Sequence, residues 1–326
     1  MGKGKTAGHV PESGLSEGIE MRIGLIDVDG HNFPNIPLMK LSSWHKAQGD
    51  HVEWYQPLLS GHMNTVYMAK VFSFSPDYGY SVDTDQLVRG GTGYHIELRG
   101  GREEWHGSET NLPDEIEHCY PDYSLYGIDD CAFGFLSRGC PRGCPFCVVK
   151  SKEGRGSYKV ADLSEFWHGQ HFIEVCDPNI LACPDAEDLL QQLADSKATV
   201  NLNQGIDARL LNERTIRILR RIRMKHYHFA WDNPADEAKI LPKLKMFMEI
   251  GKPKSHSVSC YCLVNFNSTL EEDFYRIYAL RELRIQPYVM IYDKKHCNPI
   301  YQKIQRWVNA PAIFWSTPKF EEYERK

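Results

Sequence analysis

The sequence predicts an α/β fold, a partial (βα)6 parallel barrel preceded by a smaller Rossmann-like α/β domain. Three observations predict it. Short apolar runs of strand length alternate with amphipathic stretches of helix length along most of the chain. From residue 131 onward this alternation yields six consecutive strand–helix units, and right-handed crossovers would close that many units most of the way into a barrel. Between the two regions, residues 98–130 are rich in Gly, Pro and acidic residues and read as a linker.

The elements follow in order. Residues 1–20 are rich in Gly, Ser and Lys, lack an apolar h-region and read as a disordered tail. The first domain, 21–97, opens with a buried strand at 22–27, then a Gly-Asn-Pro loop and an amphipathic helix over 36–48 that Gly49 stops. Strands follow at 51–55, 65–74 and 86–88, the last running into Gly90-Gly91-Thr92-Gly93. In the second domain, 131–326, strands are expected at 132–136, 172–176, 199–203, 227–230, 257–264 and 287–291. The intervening helices are placed at 186–194, 213–223, 237–250, 270–283 and 300–308.

Composition narrows the functional classes. The chain has 326 residues, 42% hydrophobic and 25% charged, as in water-soluble domains. No apolar run approaches the roughly 18 residues of a membrane span, so a cytoplasmic location is expected. A net charge of −5 offers no global attraction to nucleic acid, leaving only a local patch such as the arginine-rich stretch 214–228. That stretch also fits the solvated face of an outer helix. Ten cysteines without a secretory signal suit reduced thiols and a metal site better than a disulfide framework.

Three of those cysteines carry the strongest motif. Cys140, Cys144 and Cys147 stand in Ser137-Arg138-Gly139-Cys140-Pro141-Arg142-Gly143-Cys144-Pro145-Phe146-Cys147, directly after an apolar run. Soft thiolates on one loop suit iron–sulfur ligation, each taking one iron, and Gly139 and Gly143 let the backbone wrap closely. Three ligands leave one position open, where a structural zinc site is closed by four. Cys131 or Cys176 could instead complete a zinc site, which would make this a metal-stabilised binding protein. Neither Cys176 with Cys183 nor Cys260 with Cys262 has a convincing cluster spacing, and free cysteines are commonly buried.

Strand ends supply further candidates, because the working residues of parallel barrels gather at the C-terminal ends of their strands. These are Asp177-Pro178-Asn179, the run from Gln204 to Arg209, Asp232-Asn233, the run from Asn265 to Thr269, and Tyr292-Asp293. Arg209 could pair with a carboxylate in bidentate fashion. Each Asn or Asp also suits a turn or helix cap.

The C-x3-C-x2-C spacing with aromatic Phe146 before the last cysteine closely resembles the signature of radical S-adenosylmethionine enzymes. The resemblance implies a partial (βα)6 barrel. It implies a [4Fe-4S] cluster on Cys140, Cys144 and Cys147, with S-adenosylmethionine on the free iron, cleaved to a 5'-deoxyadenosyl radical that abstracts hydrogen from an unidentified substrate. It further implies a one-electron reductant of flavodoxin or ferredoxin type as partner. By the same resemblance Asp177 corresponds to the residue receiving the methionine amino group, although the usual Gly-Gly-Glu wording is absent. Asp232 with Asn265 or Asn267 would meet the ribose and carboxylate, Phe146 would lie near the adenine, and Gln204 is a further candidate for the same cofactor.

The first domain resembles the cobalamin-binding domains of one branch of that superfamily. Gly90-Gly91 is similar to the glycine pair of those domains, and Asp29-Gly30-His31-Asn32-Phe33-Pro34 to their D-x-H-x-x-G, with Pro34 replacing the glycine. A proline alters the loop backbone, so a domain that has lost cobalamin is expected alongside a cobalamin-dependent methylase as the alternative.

Overall fold

The computed structural model describes residues 20–99, 102–107 and 112–324; all but the last residue of the expected tail lies outside them. The chain is a mixed α/β protein built on three parallel sheets. The first sheet contains β1 (Arg22–Asp27), β2 (His51–Trp54), β3 (Met63–Ala69) and β4 (Thr84–Gly90) in the order β2-β1-β3-β4, with α1 (Ile36–Ala47) joining β1 to β2. The Asn35 side chain accepts from Leu38 N–H to cap α1, and Pro37 falls in its first turn.

Two sequence expectations change in this region. The strand expected at 65–74 ends at Ala69, because the Asp29 carboxylate draws the backbone N–H groups of Val71 and Phe72 and the Ser75 hydroxyl into a turn. Residues 98–130 are not irregular throughout. They contain most of an antiparallel hairpin, β5 (Ile96–Arg99) with β6 (Arg102–Trp105), and a short helix, α2 (Asp114–Glu117).

The second sheet has the order β12-β11-β10-β7 and the third β13-β14-β15. The strands and helices of this second body arrive as β7 (Cys131–Gly134), β8 (Ser137–Arg138), α3 (Val149–Glu153), β9 (Tyr158–Lys159), β10 (Phe172–Val175), α4 (Ala186–Ser196), β11 (Thr199–Leu202), α5 (Glu213–Leu219), β12 (Arg223–Met224) and β13 (Tyr227–Ala230), with β8 and β9 paired antiparallel by themselves. Then come α6 (Glu237–Gly251), β14 (Val258–Val264), α7 (Leu270–Glu282), β15 (Gln286–Ile291), α8 (Pro299–Val308), α9 (Pro311–Ser316) and α10 (Phe320–Glu324). A parallel bridge between Ile206 and Phe229 links the two sheets. The α5 helix stops at Leu219, four residues before the expected end.

The strands bury one face under the helices. Ile173, Val175, Val200, Phe229, Cys260, Cys262 and Val289 are all fully buried, which accounts for Cys260 and Cys262 as core residues. The first sheet is joined to this body through Ile36 and Met39 of α1 in the main core, through the Tyr126 hydroxyl, which donates to Asp27 at 2.7 Å, and through Phe33 edge-on to Phe133. Among the described residues no helix is long and apolar enough to cross a membrane.

Candidate active site

The cysteine loop begins where β8 ends, shortly beyond β7, and its first residues are fixed by backbone needs. Gly139 has φ +79°, a conformation L side chains rarely adopt, and a Cβ there would stand 1.9 Å from the Gly156 carbonyl oxygen. Glu153 of α3 reaches back to accept from Gly139 N–H at 2.9 Å and from Arg138 Nη1 at 3.4 Å. The Arg138 guanidinium also lies over the Phe135 ring at 4.0 Å. The loop that carries the cysteines is thus closed at its base by α3, which packs against β6.

Three contacts hold this loop over the ends of other strands. Arg142 Nε donates to Asp207 Oδ2, beyond β11, at 2.7 Å. Asn179 Nδ2, beyond β10, donates to Cys140 Sγ at 3.6 Å and to Asp207 Oδ2 at 3.2 Å. Phe146 packs edge-on to Phe266, beyond β14, with centroids 5.5 Å apart, and Phe266 in turn meets Tyr292 beyond β15 at 4.5 Å.

Asp207 is the hub of this arrangement. Its other oxygen accepts from Arg209 Nε at 2.7 Å, and Arg209 Nη1 continues to Asp236 at 3.1 Å. Burial raises the Asp207 pKa, but the Arg209 and then the Arg142 guanidinium outweigh it and hold the carboxyl below its ordinary range. Burial pushes the Cys144 and Cys147 thiols up, with the neighbouring thiols of the loop adding to the effect and Arg209 opposing it at Cys144.

The expected residues divide. Phe146 and Arg209 stand with the cysteine loop. Gln204 and Asn267 are exposed at the strand ends, and Asn267 adopts a left-handed φ of 49°. Asp232 accepts from Leu263 N–H at 3.1 Å, and burial raises its pKa against the pull of Arg276 and Arg209. Asn265, also left-handed at φ 61°, donates to the Tyr292 carbonyl at 3.0 Å; its amide serves the β14–β15 connection.

Asp177 follows β10, the strand end where the sequence reading put it, and holds the start of the cysteine loop. It is 4% exposed, and its two oxygens accept from Leu136 N–H at 2.8 Å, Ser137 N–H at 2.7 Å and Ser137 Oγ at 2.6 Å. Burial raises its pKa to about 6 in spite of these donors. Three of the carboxylate's acceptor positions are engaged by the start of the cysteine loop.

Asn179, two residues on, offers what Asp177 does not. It is 5% exposed, and its Oδ1 is buried without a hydrogen-bond partner. Sequence reasoning placed Asn179 and Asp207 among the strand-end candidates without giving either a role, and it missed Arg142. The available signal was Arg142 itself, a cation between two cysteines that asks for an acid at a neighbouring strand end.

Among the described residues no group of three or more His, Cys, Asp or Glu side chains converges as a ready ion site. A cubane cluster asks for something other than convergence on one ion, since each thiolate takes its own iron. By donor chemistry the loop fits such a cluster, with three thiols, an Asn179 N–H directed at the Cys140 sulfur and two guanidinium groups nearby to balance thiolate charge.

In the first sheet, His31 stacks on Trp54 with centroids 4.2 Å apart and meets the Tyr126 edge at 5.5 Å. Gly91 has φ +96° and lies so close to Lys70 that a Cβ would stand 2.3 Å from its carbonyl oxygen, so the glycine packs the strand end itself. The arginine-rich stretch is an ordinary ion-paired face: Arg214 meets Glu187 at 2.7 Å, Arg217 meets Glu213 at 3.2 Å and Arg221 meets Asp195 at 3.4 Å.

No family model matches the chain, and no curated protein matches it. Among solved structures it is similar to Streptococcus suis SuiB, solved bound to the precursor peptide SuiA. The match has 15% identity and a TM-score of 0.40, covering 58% of this chain and 46% of that one. The chain therefore aligns with less than half of that protein's length, and a likeness this slight carries no assignment.

Proposed function

We propose that the chain is a radical S-adenosylmethionine enzyme. The observation that carries this reading is the seating of the C-x3-C-x2-C loop over the ends of parallel strands by Arg142–Asp207, Asn179–Cys140 and Phe146–Phe266. Strand ends are where parallel α/β folds assemble reactive loops. On this reading β7, β10, β11, β13, β14 and β15 are the six strands of a partial barrel, residues 131–326 its domain, and 21–97 a Rossmann-like domain joined by 98–130.

Cys140, Cys144 and Cys147 hold the [4Fe-4S] cluster. When bound, cluster and S-adenosylmethionine supply a 5'-deoxyadenosyl radical able to abstract hydrogen from a substrate, after one electron from a flavodoxin or ferredoxin type partner. The chain's own residues bind and orient. Asn179 Oδ1, the buried acceptor without a partner, takes the methionine ammonium in place of Asp177. Arg209, whose Nη2 has no partner among the described residues, meets the carboxylate. Asn267, Gln204 and Asp232 face the ribose, and Phe146 the adenine. Asp177 and Asn265 shape the loops that present these groups.

Anaerobic reconstitution with iron and sulfide tests the ligand set. The wild type is expected to turn brown and retain close to four irons per chain, and Cys144→Ala to lose most of that colour. Zinc near one equivalent without iron would instead identify a structural metal site.

A further inference from the structure

The helix-free face of the strands carries a second set of functional groups. In a parallel sheet covered on both sides, strands read as continuous apolar runs; β7 and most of β14 are buried in that way, whereas burial alternates along β10, β11 and β13, which leaves their second face open. The other face is polar and reachable. Tyr288 and Met290 of β15 are 45% and 38% exposed, and Phe172 at the start of β10 is 46% exposed.

This face is organised rather than merely solvated. Glu174 accepts from Asn201 Nδ2 at 2.7 Å, and its charge is met by Lys225 at 3.6 Å. On the neighbouring sheet, His228 Nδ1 lies 2.9 Å from Ser259 Oγ, and its ring stacks on Tyr261, which meets Tyr288 edge-on at 5.4 Å. Burial, and then the nearby His226 and Lys225, lower the His228 pKa to about 4, so the imidazole is neutral at pH 7. Free functions remain: the Tyr261 and Tyr288 hydroxyls, Asn201 Oδ1 and His228 Nε2 have no partner among the described residues.

We infer that this face is a substrate-binding wall for an uncharged, extended peptide segment. The Glu174 charge is balanced by Lys225, which disfavours phosphate-bearing or strongly ionic ligands. Its free groups are neutral donors and acceptors of the kind that pair with backbone amides, and Asn201 is itself a carboxamide. The exposed Tyr288, Met290 and Phe172 surfaces give apolar side chains a place to rest. The two inter-strand gaps of β13-β14-β15, about 4.8 Å each, continue onto β11 and β10 across the Ile206–Phe229 bridge. The inference rests on the proposed enzyme reading only for the reaction that follows binding.

The test is fluorescence anisotropy with full-length protein. The probe is a pool of N-acetylated, C-amidated peptides of about eight uncharged residues carrying a neutral fluorophore. Binding below about 100 µM is expected, weakened at least about fivefold by Asn201→Ala and by Tyr288→Phe, which removes one hydroxyl and leaves the ring to pack. Arg214→Ala, on the outer helix α5, should bind as wild type. No binding, binding equal in the wall variants, or displacement of the wall by maltohexaose or an oligothymidylate would overturn the inference. Iron content and S-adenosylmethionine cleavage are read on the same samples. Cleavage without peptide binding sinks the wall alone, and peptide binding without cleavage upholds the wall while counting against the radical reading.

Discussion

Arg142 Nε lies 2.7 Å from Asp207 Oδ2, tying the middle of the cysteine loop to the end of a strand 65 residues away in sequence. The Asp207 side chain is 6% exposed and that of Arg142 31%. The two halves of the pair are therefore unequal. Asp207→Ala strands Arg142, leaves Arg209 with Asp236 alone and removes an acceptor from Asn179; about 3 kcal/mol of stability should be lost. Arg142→Ala should cost about 1 kcal/mol, since its own site is partly solvated. Urea unfolding measures both, and iron uptake on reconstitution should fall in each variant.

Gly139 is expected to tolerate no side chain. Its positive φ costs an L-residue about 1–2 kcal/mol, and the Gly156 carbonyl oxygen occupies the position a Cβ would take. Gly139→Ala should lower the unfolding midpoint and abolish iron retention. Gly154→Ala, which also has a positive φ but nothing within 4 Å of a built Cβ, should show only the smaller conformational cost.

Asp177 gives a pH signature whose sign follows from its environment. Burial raises its folded pKa to about 6, above the ordinary carboxylate value. The folded state therefore holds the proton more tightly than the unfolded one, and stability declines as pH rises from about 4 to about 6, by roughly 3 kcal/mol. Asp177→Asn removes that titration. The difference in urea stability between wild type and variant, followed from pH 4 to 7, should change across this window and be flat above it; a flat difference throughout would show that burial does not govern this carboxyl.

The Asp273–Arg276 pair is fully buried on both sides. Arg276 also donates to the Trp231 and Leu263 carbonyls, which joins the ends of β13 and β14 to α7. Arg276→Ala leaves Asp273 uncompensated and should cost about 3–5 kcal/mol, read as loss of the folded baseline in thermal unfolding.

Much of the fold was legible because each element carried its own period. The strands at 22–27 and 227–230 agree with the sequence reading in both bounds, and the helices of the second body differ mainly at their ends. The hairpin formed by β5 and β6 escaped because Glu97, Arg99, Glu103 and Glu104 crowd it with charge and leave little apolar alternation. The site was legible as a loop and as strand ends, but not residue by residue. Asp177 and Asn179 both sit at one strand end, and which of them is spent on the backbone depends on where Leu136 and Ser137 arrive, a long-range fact that no local pattern encodes. Asp207 was one strand-end candidate among several, equally suited to a turn, and its role follows from Arg142 and Arg209 meeting on it.

The most direct test of the central claim is product analysis after incubating reconstituted protein with S-adenosylmethionine and dithionite under anaerobic conditions. The account predicts 5'-deoxyadenosine and methionine in equal amounts from the wild type and neither from Cys144→Ala. An iron-loaded wild type that leaves S-adenosylmethionine intact, or a Cys144→Ala variant that cleaves it equally well, would contradict the account.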